Sequence, residues 1–374
     1  MAGLYLHIPF CKQACHYCNF HFSTNQKHKK DLIEALCKEL QLRAKELKSS
    51  SLESIYFGGG TPSLLTLENL NTIFQTIDAY YNVKSDAEMT LEANPDDLTA
   101  SNIKMLSETK INRLSIGIQS FFEEDLQKMN RAHNAKEAIE CLKIAQRYFD
   151  NISIDLMYGM PQMSAERWRE NLRIALDLDI KHLSCYALTV EPKTALEHFI
   201  KTAKHPPMDD ALAAAHFQVL IEDTKKAGLI HYEVCSFGTR DTFSKHNTSY
   251  WFGKPYLGVG PSAHSFDGEK RSWNVSNNST YIKTLEQDQL PLTVEHLTPE
   301  NRFNEYLMTG LRTMWGVSLS KIEEKFGVEF KNQLLKNAQK HLNSKTLVLE
   351  NDVLKTTIKG KFLCDGIASD LFIL

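Results

Sequence analysis

The chain has 374 residues, of which 42% are hydrophobic and 24% charged, and its formal net charge is -3. This length is enough for one large α/β domain and a smaller one, and the composition is ordinary for a globular protein. The chain lacks the strong basic field that nonspecific nucleic-acid or anionic-membrane binding requires, so we expect no nucleic-acid partner. The sequence has no apolar run of about 18 residues and no basic, cleavable leader, and we therefore expect a cytoplasmic protein.

Strand-like runs alternate with helical patterns over the first half of the chain. Runs rich in β-branched and aromatic residues predict strands at 3–8, 52–57, 87–93, 111–118, 151–159 and 181–188. Apolar residues at a 3.6-residue period predict helices at 29–47, 67–81, 100–109, 134–149 and 164–179. This alternation predicts a parallel sheet, closed into a barrel or partial barrel, with the chemistry at the C-terminal ends of the strands.

The pattern changes after residue 187. We expect a helix at 209–228, a short strand at 231–237 and a region rich in Gly, Pro, Asn and Ser at about 238–280. Helical patterns return at 299–316 and 319–342, followed by strand-like pieces in 347–357 and an apolar helix at 360–373. The sequence therefore predicts a barrel at 1–190, an extension of it at 191–290, and a C-terminal accessory domain of winged-helix type at 291–374.

Unusual residues directly follow the predicted strands. After the first strand, Cys11, Cys15 and Cys18 form a CxxxCxxC motif, with Phe20 where a fourth cysteine could stand. A zinc site completed by His16 or His21 is one interpretation. The other is a 4Fe-4S cluster in which three thiolates bind three irons and leave the fourth iron open to a ligand that is not protein.

The CxxxCxxC motif resembles the signature of radical S-adenosylmethionine (SAM) enzymes. Together with YFGGGTPSLL, LEANPD, LSIGIQSF, DLMYGMPQ and GVGPSAHS, it is similar to the superfamily of oxygen-independent coproporphyrinogen III oxidases, from residue 5 to about 265. This resemblance implies a partial (β/α)6 radical SAM barrel with a smaller, mainly helical C-terminal domain. It also implies SAM and a 4Fe-4S cluster as cofactors, the cluster being held by the three cysteines and SAM.

The same resemblance assigns a set of SAM-binding residues, each of which could instead serve packing or solvation. Glycines let backbone approach the methionine end of SAM, and a guanidinium suits its carboxylate. An aspartate suits the ribose hydroxyls, and an aromatic residue beside the cluster loop can shield the cluster. The residues that match these positions are Tyr5, Gly59, Gly60, Thr61, Glu92, Gln119, Arg131 and Asp155.

Two features separate this chain from the true oxidases of that superfamily. Those carry a fourth cysteine where this sequence has Phe20, and they have a longer N-terminal arm than the ten residues before Cys11.

The segment HNTSYW at 246–251 fits the HNxxYW pattern of the HemW group of haem chaperones. That pattern implies haem binding through His246, Tyr250 and Trp251, since imidazole and phenol oxygen can ligate iron. His264 is a competing ligand.

These observations lead to the hypothesis of a haem chaperone that binds haem, delivers it to acceptor haemoproteins and carries a SAM-ligated 4Fe-4S cluster. The resemblance further implies peripheral contact with membrane haemoproteins and a homodimer. On this hypothesis the chain lacks coproporphyrinogen dehydrogenase activity, and no catalytic residue is assigned. The alternative is a radical SAM enzyme that converts coproporphyrinogen III to protoporphyrinogen IX by oxidative decarboxylation. Radical chemistry on another tetrapyrrole is a third interpretation.

Overall fold

The computed structural model describes residues 2–47 and 51–373, and a large sheet forms its centre. Six strands pair in parallel in chain order: β1 (Ala2–Ile8), β2 (Leu52–Gly59), β3 (Val83–Ala93), β4 (Arg113–Gln119), β5 (Ile152–Tyr158) and β6 (His182–Ala187). Between them lie α1 (Lys29–Leu42), α2 (Leu67–Tyr80), α3 (Ala100–Ser107), α4 (Glu123–Lys128), α5 (Ala135–Ala145) and α6 (Ala165–Asp177). The structure thus confirms the predicted parallel α/β core.

Side chains of these strands alternate between two chemically different faces, as the period of two in a strand requires. One face is apolar and packs with the helices, as Leu4, Leu6 and Ile8 of β1 illustrate. The opposite face carries polar side chains: His7, Ser54, Glu88, Thr90, Glu92, Arg113, Ser115, Ser153, Asp155, His182 and Ser184. Parallel strands are usually apolar on both faces, so this polar inner face marks the side of the sheet that carries function.

The segment after β6 extends the sheet at both edges. It forms α7 (Ala195–Lys201), α8 (Asp210–Lys226), β7 (Ile230–Glu233), β8 (Ser236–Gly238), α9 (Lys245–Trp251), β9 (Tyr256–Val259), β10 (His264–Phe266), β11 (Lys270–Asn274), α10 (Asn278–Glu286) and β12 (Leu292–His296). In the described residues the sheet has the order β12-β11-β10-β9-β1-β2-β3-β4-β5-β6-β8-β7. Strand β9 runs parallel to β1. The region rich in Gly, Pro, Asn and Ser therefore supplies strands at one edge of the sheet, and the single strand expected at 231–237 is the hairpin β7–β8.

The C-terminal part has its own small sheet and core. Its elements are α11 (Pro299–Leu311), β13 (Val317–Ser318), α12 (Leu319–Phe326), α13 (Val328–Asn343), β14 (Leu347–Glu350), β15 (Val353–Thr356), α14 (Ile358–Lys361) and α15 (Cys364–Asp370). The strands pair in the order β13-β15-β14, and Phe303, Leu307 and Leu334 belong to a core separate from that of the barrel. Helices followed by a small hairpin confirm the winged-helix-like arrangement. The helix expected over 319–342 divides at Gly327, which has a φ of 96°.

Candidate functional site

The loop between β1 and α1 presents three cysteines at the C-terminal end of β1. Cys11, Cys15 and Cys18 are free and partly exposed. Backbone hydrogen bonds hold the loop, with Cys11 N donating to Ser23 O at 3.1 Å and Cys18 N to Cys15 O at 3.3 Å. The three thiols therefore lie on one short loop, where the sequence predicted a cluster.

Two side chains from loops distant in sequence donate to the sulfurs. Thr61 Oγ1 lies 3.4 Å from Cys11 Sγ, and Arg131 Nη1 lies 3.3 Å from Cys15 Sγ. Burial raises the pKa of Cys11 to about 11 and also raises that of Cys18. A metal that binds these sulfurs must therefore displace protons, and the two donors can then stabilise the thiolate charge.

The two histidines considered as zinc ligands are engaged elsewhere. His16 Nδ1 donates to Lys128 O at 3.0 Å, and His21 Nε2 donates to Asn278 Oδ1 at 2.7 Å. Among the described residues, no three His, Cys, Asp or Glu side chains converge on a site for a single metal ion. Neither histidine therefore supports the zinc interpretation in this conformation.

The glycine turn after β2 packs directly against the start of the cysteine loop. Gly60 N donates to Ile8 O at 2.9 Å, and a Cβ on Gly60 would lie 2.7 Å from Phe10 O and 2.8 Å from Phe10 N. Gly59 has a φ of 108°, in the region that favours glycine. The close approach of the two backbones explains why glycine stands at position 60.

Glu92 projects from the end of β3 onto the polar inner face. Its Oε1 accepts from Tyr56 OH at 2.8 Å, and its Oε2 accepts from Gly59 N at 3.2 Å. Burial, with a smaller contribution from the charge of Asp155, raises the pKa of Glu92 to about 7. Burial likewise raises the pKa of Asp155 to about 6. The inner face thus holds two carboxyl groups that take up a proton near neutral pH.

Arg131 and Gln119 converge above Gly117. A Cβ on Gly117 would lie 2.9 Å from Gln119 Nε2 and 3.2 Å from Arg131 Nη2. Gln119 sits at an irregularity in the pairing of β4 with β5 and has a φ of 66°, which is uncommon for a residue with a side chain. Such a backbone persists where its surroundings hold it, as happens at binding sites.

Asn94, which was not predicted as a site residue, connects Arg131 to the glycine turn. Its Oδ1 accepts from Arg131 Nη2 at 2.6 Å, and its Nδ2 donates to Thr61 Oγ1 at 3.2 Å. Arg131 also donates to Gly117 O at 2.8 Å, while its Nε is buried without a hydrogen-bond partner. The position of Asn94 directly after a predicted strand was the signal that could have identified it.

Tyr5 and His7 lie side by side on β1 at the same inner face. His7 Nε2 donates to His21 O at 2.8 Å, which leaves Nδ1 of the neutral ring to accept from Tyr5 OH at 3.2 Å. Burial lowers the pKa of His7 to about 4, in agreement with a neutral imidazole. Tyr5 also stacks on Tyr56, with ring centroids 6.1 Å apart. The predicted SAM residues on β1, β2 and β3 therefore form one contiguous surface.

Helix α9 carries the HNTSYW segment across the inner face. His246 is buried, and both of its ring nitrogens contact hydroxyl groups: Nδ1 is 2.8 Å from Ser54 Oγ, and Nε2 is 2.7 Å from Tyr250 OH. Its ring also stacks on that of Tyr56, with centroids 5.0 Å apart. Burial lowers its pKa to about 3. Both ring nitrogens thus have partners inside the protein, which departs from the expectation that His246 is presented as an iron ligand. Trp251 contacts the guanidinium of Arg312, 5.4 Å from its ring centroid.

Comparisons with known proteins identify the family. Residues 5–175 match the radical SAM superfamily, and residues 297–363 match the HemN C-terminal domain. The protein named heme chaperone HemW in Bacillus subtilis is 34% identical over 370 residues, covering 97% of each chain. This chain belongs to the HemW family. A HemW of Synechocystis is 32% identical, covering 85% of this chain and 79% of its own.

A solved structure shows that this HemW-family chain shares its fold with an enzyme. The structure of coproporphyrinogen III oxidase (HemN) from Escherichia coli, a radical SAM enzyme, matches with a TM-score of 0.86 and 22% identity. The match covers 99% of this chain and 90% of the oxidase. Membership of the radical SAM superfamily implies SAM and a 4Fe-4S cluster, and the three cysteines of the motif are present.

A cavity of about 960 Å³ lies between the barrel and the C-terminal part of this HemW-family chain. We call it the interdomain cavity, and its lining includes Phe20, Tyr250, Phe252, His264, Arg271 and Arg302. Tyr5 and His7 also line it, so it reaches the inner face of the sheet. From the HNTSYW segment, Tyr250 reaches this cavity, and among the described residues neither His246 nor Trp251 lines it.

A buried acidic residue that was not predicted from the sequence holds α9 in place. Glu88 is buried, and its carboxylate accepts from Lys245 N at 2.9 Å and from His246 N at 3.0 Å. Arg113 Nε lies 3.9 Å from Glu88 Oε2. Polar residues at alternate positions of a predicted buried strand were the available signal.

None of the described helices is long and apolar enough to cross a membrane.

Proposed function

We propose that this HemW-family chain is a haem chaperone that binds haem, passes it to acceptor haemoproteins and carries a SAM-ligated 4Fe-4S cluster. The supporting observation is that Phe20, which replaces the fourth cysteine of the oxidases, lines a cavity large enough for a cofactor. Full-length similarity to proteins named heme chaperone HemW also supports it. The proposal retains the division into a barrel at 1–190, an extension at 191–290 and an accessory domain at 291–374.

In this proposal Cys11, Cys15 and Cys18 hold the cluster, because three partly exposed thiols on one loop suit three irons and leave a fourth open. When bound, the cluster supplies an iron that coordinates SAM and an electron that can cleave it. The residues assigned to SAM are Tyr5, Gly59, Gly60, Thr61, Glu92, Gln119, Arg131 and Asp155, and their convergence on one face supports this assignment. Arg131 acts there together with Asn94 and Cys15.

The haem role of the HNTSYW segment is divided among its residues in this proposal. Tyr250 contributes directly, because it lines the cavity. His246 positions Tyr250 through the 2.7 Å hydrogen bond to its hydroxyl. Trp251 contributes through its contact with Arg312, which follows the cavity-lining helix α11. These assignments place the segment beside the haem without requiring His246 to leave the interior.

An anaerobic turnover assay tests the proposal against the enzymatic alternative. Cluster-reconstituted protein is supplied with coproporphyrinogen III, SAM and a low-potential reductant, and protoporphyrinogen and 5'-deoxyadenosine are quantified. We expect no protoporphyrinogen, while the same preparation binds haem and transfers it to an apo-haemoprotein. Formation of protoporphyrinogen over many turnovers would overturn the chaperone proposal. Transfer by a cluster-free Cys18→Ser protein at the wild-type rate would show that the cluster is not coupled to transfer.

A further inference from the structure

The interdomain cavity has walls from four parts of the chain. Phe20 comes from the cysteine loop, Tyr250 and Phe252 from the end of α9, and His264 from β10. The C-terminal part closes the cavity with Arg302 and Tyr306 of α11. A volume of about 960 Å³ with an aromatic lining suits a large, flat, apolar molecule.

The cavity also carries cationic groups that suit carboxylates. The Nε of Arg302 is buried without a hydrogen-bond partner, and its guanidinium forms no salt bridge with another described residue. Arg271 lines the same cavity and pairs with Glu305 at 2.8 Å. A guanidinium binds a carboxylate through paired hydrogen bonds, so Arg302 is suited to an acidic group on the occupant.

The hairpin β10–β11 turns one face toward the cavity. His264 and Phe266 are two residues apart on β10, and Phe266 pairs with Arg271 of β11. All three line the cavity, as the period of two in a strand requires. The His264 ring stacks on that of Trp273, with centroids 5.9 Å apart, and no hydrogen bond joins its nitrogens to the described residues. The hairpin β10–β11 therefore presents to the cavity both the imidazole of His264, whose nitrogens form no hydrogen bond to the described residues, and the guanidinium of Arg271.

The other histidines of the cavity are less suited to bind iron. His7 has hydrogen-bond partners on both ring nitrogens, namely His21 O and Tyr5 OH. His21 uses Nε2 to bond Asn278. Of the imidazoles that line the cavity, His264 is the one whose ring nitrogens have no hydrogen-bond partner among the described residues. Neutral imidazole is a common axial ligand of haem iron.

We propose that haem occupies the interdomain cavity, with its iron ligated by His264 and a propionate bound by Arg302. The inference rests on the proposed haem chaperone function and adds to it the place of the haem and its iron ligand. Phe20 then forms part of the haem pocket from the cysteine loop. The residue that replaces the fourth cysteine thus contacts the cargo, so a change at the cluster can reach the haem through a single loop.

Two probes separate iron ligation from recognition of the macrocycle. Ferric haem and metal-free protoporphyrin IX are titrated into the full, cluster-reconstituted chain and followed by absorbance and fluorescence. His264→Ala should weaken haem binding about ten-fold and leave protoporphyrin binding within about two-fold, since only haem offers iron to the ligand. Arg302→Gln should weaken both probes by about three- to ten-fold, because both carry the carboxylates.

An exposed histidine and an exposed arginine outside the cavity lining serve as matched controls. His296 is exposed on β12 of the same sheet edge, and Arg240 is exposed beyond β8. His296→Ala and Arg240→Gln should bind both probes as the wild type does. His264→Tyr is a second ligand variant, and we expect its bound haem to shift to the high-spin spectrum of a phenolate ligand. Melting temperatures of all variants separate a local effect from loss of folding.

The outcomes distinguish this inference from the function on which it rests. A wild-type chain that binds no haem would overturn both. A wild type that binds haem while the His264 and Arg302 variants keep its affinity and spectrum would overturn the site and leave the chaperone function intact. Equal weakening of haem and protoporphyrin by His264→Ala would overturn iron ligation. The expected pattern, with silent controls, would support the site.

Discussion

A single carboxyl group links the glycine turn, a tyrosine and the polar inner face. Glu92 accepts from Tyr56 OH and Gly59 N, and burial raises its pKa to about 7. The folded chain consequently holds a proton there at pH values at which an ordinary glutamate has lost it. A charged partner that binds this face would favour one protonation state of Glu92 over the other.

Replacing Glu92 should flatten the pH dependence of stability. Because the folded pKa lies above the ordinary value of 4.5, the folded state is favoured below that value and loses stability as the pH rises to about 7. Relative to Glu92→Gln, wild-type chain without its cluster should lose on the order of 1–3 kcal/mol of unfolding free energy across this window. Urea unfolding at a series of pH values measures the difference. Parallel profiles for wild type and variant would contradict the assignment, and exposed Glu108→Gln is the control.

At the scale of the element, α9 depends on contacts distant in sequence. The segment KHNTSYW has few strong helix formers, so its own propensity is weak. Ser244 caps the helix by accepting from Asn247 N, and Glu88 of β3 accepts from the first two helical N–H groups. A negative charge at a helix N-terminus is favourable because of the exposed N–H groups there. The helix that presents Tyr250 is therefore held in place by a strand.

Glu88→Gln should loosen α9 and destabilise the protein. The substitution removes the charge that faces the helix terminus and the salt-bridge partner of the buried Arg113, so we expect a loss of about 2–4 kcal/mol. Urea unfolding measures the loss, and hydrogen exchange should rise in α9. The control Glu53→Gln removes partly exposed pairs with Lys84 and Lys254 and should have a much smaller effect. Unchanged exchange in 245–251 would show that Glu88 does not hold the helix.

At the scale of the whole molecule, Arg312 joins the two hydrophobic cores. It follows α11, and its guanidinium contacts Glu233 of β7 at 3.1 Å and Asp365 of α15 at 2.7 Å. Glu233 is buried and also accepts from Ser236 Oγ at 2.9 Å. A buried carboxylate depends on its cationic partner, so this pair fixes the position of the C-terminal part against the barrel.

Arg312→Gln should separate the unfolding of the two cores. Loss of the cation leaves the buried Glu233 carboxylate without its salt-bridge partner, at an expected cost of about 2–4 kcal/mol. Calorimetry should then resolve two transitions, and proteolysis between 286 and 299 should become faster. Lys331→Gln, which removes a partly exposed pair with Glu323 inside the C-terminal part, should keep the wild-type profile. One unchanged cooperative transition in the Arg312 variant would contradict this role.

Local patterns explain which parts of this architecture could be predicted from sequence. The strands β1–β6 were identifiable because β-branched runs and helical periods are local, and the cluster motif because its three cysteines span eight residues. Strand β9 was missed because YLGV is four residues long and lies in a Gly- and Pro-rich segment. It forms a strand only by pairing with β1, which lies at the other end of the barrel sequence, at residues 2–8. The contacts of Glu88, Asn94 and His246 likewise arise only once distant strands are assembled.

The pairing of β9 with β1 has a consequence for synthesis on the ribosome. Strand β1 lies between β2 and β9, so one of its edges stays open until residues 256–259 have been made. At typical elongation rates the intervening residues take roughly 10–50 s, during which an apolar strand edge can meet another nascent chain. The strand that leads into the cysteine loop is therefore among the first parts translated and among the last to be fully paired. Insertion of the proposed cluster into the cysteine loop should thus begin late in translation or after release of the chain.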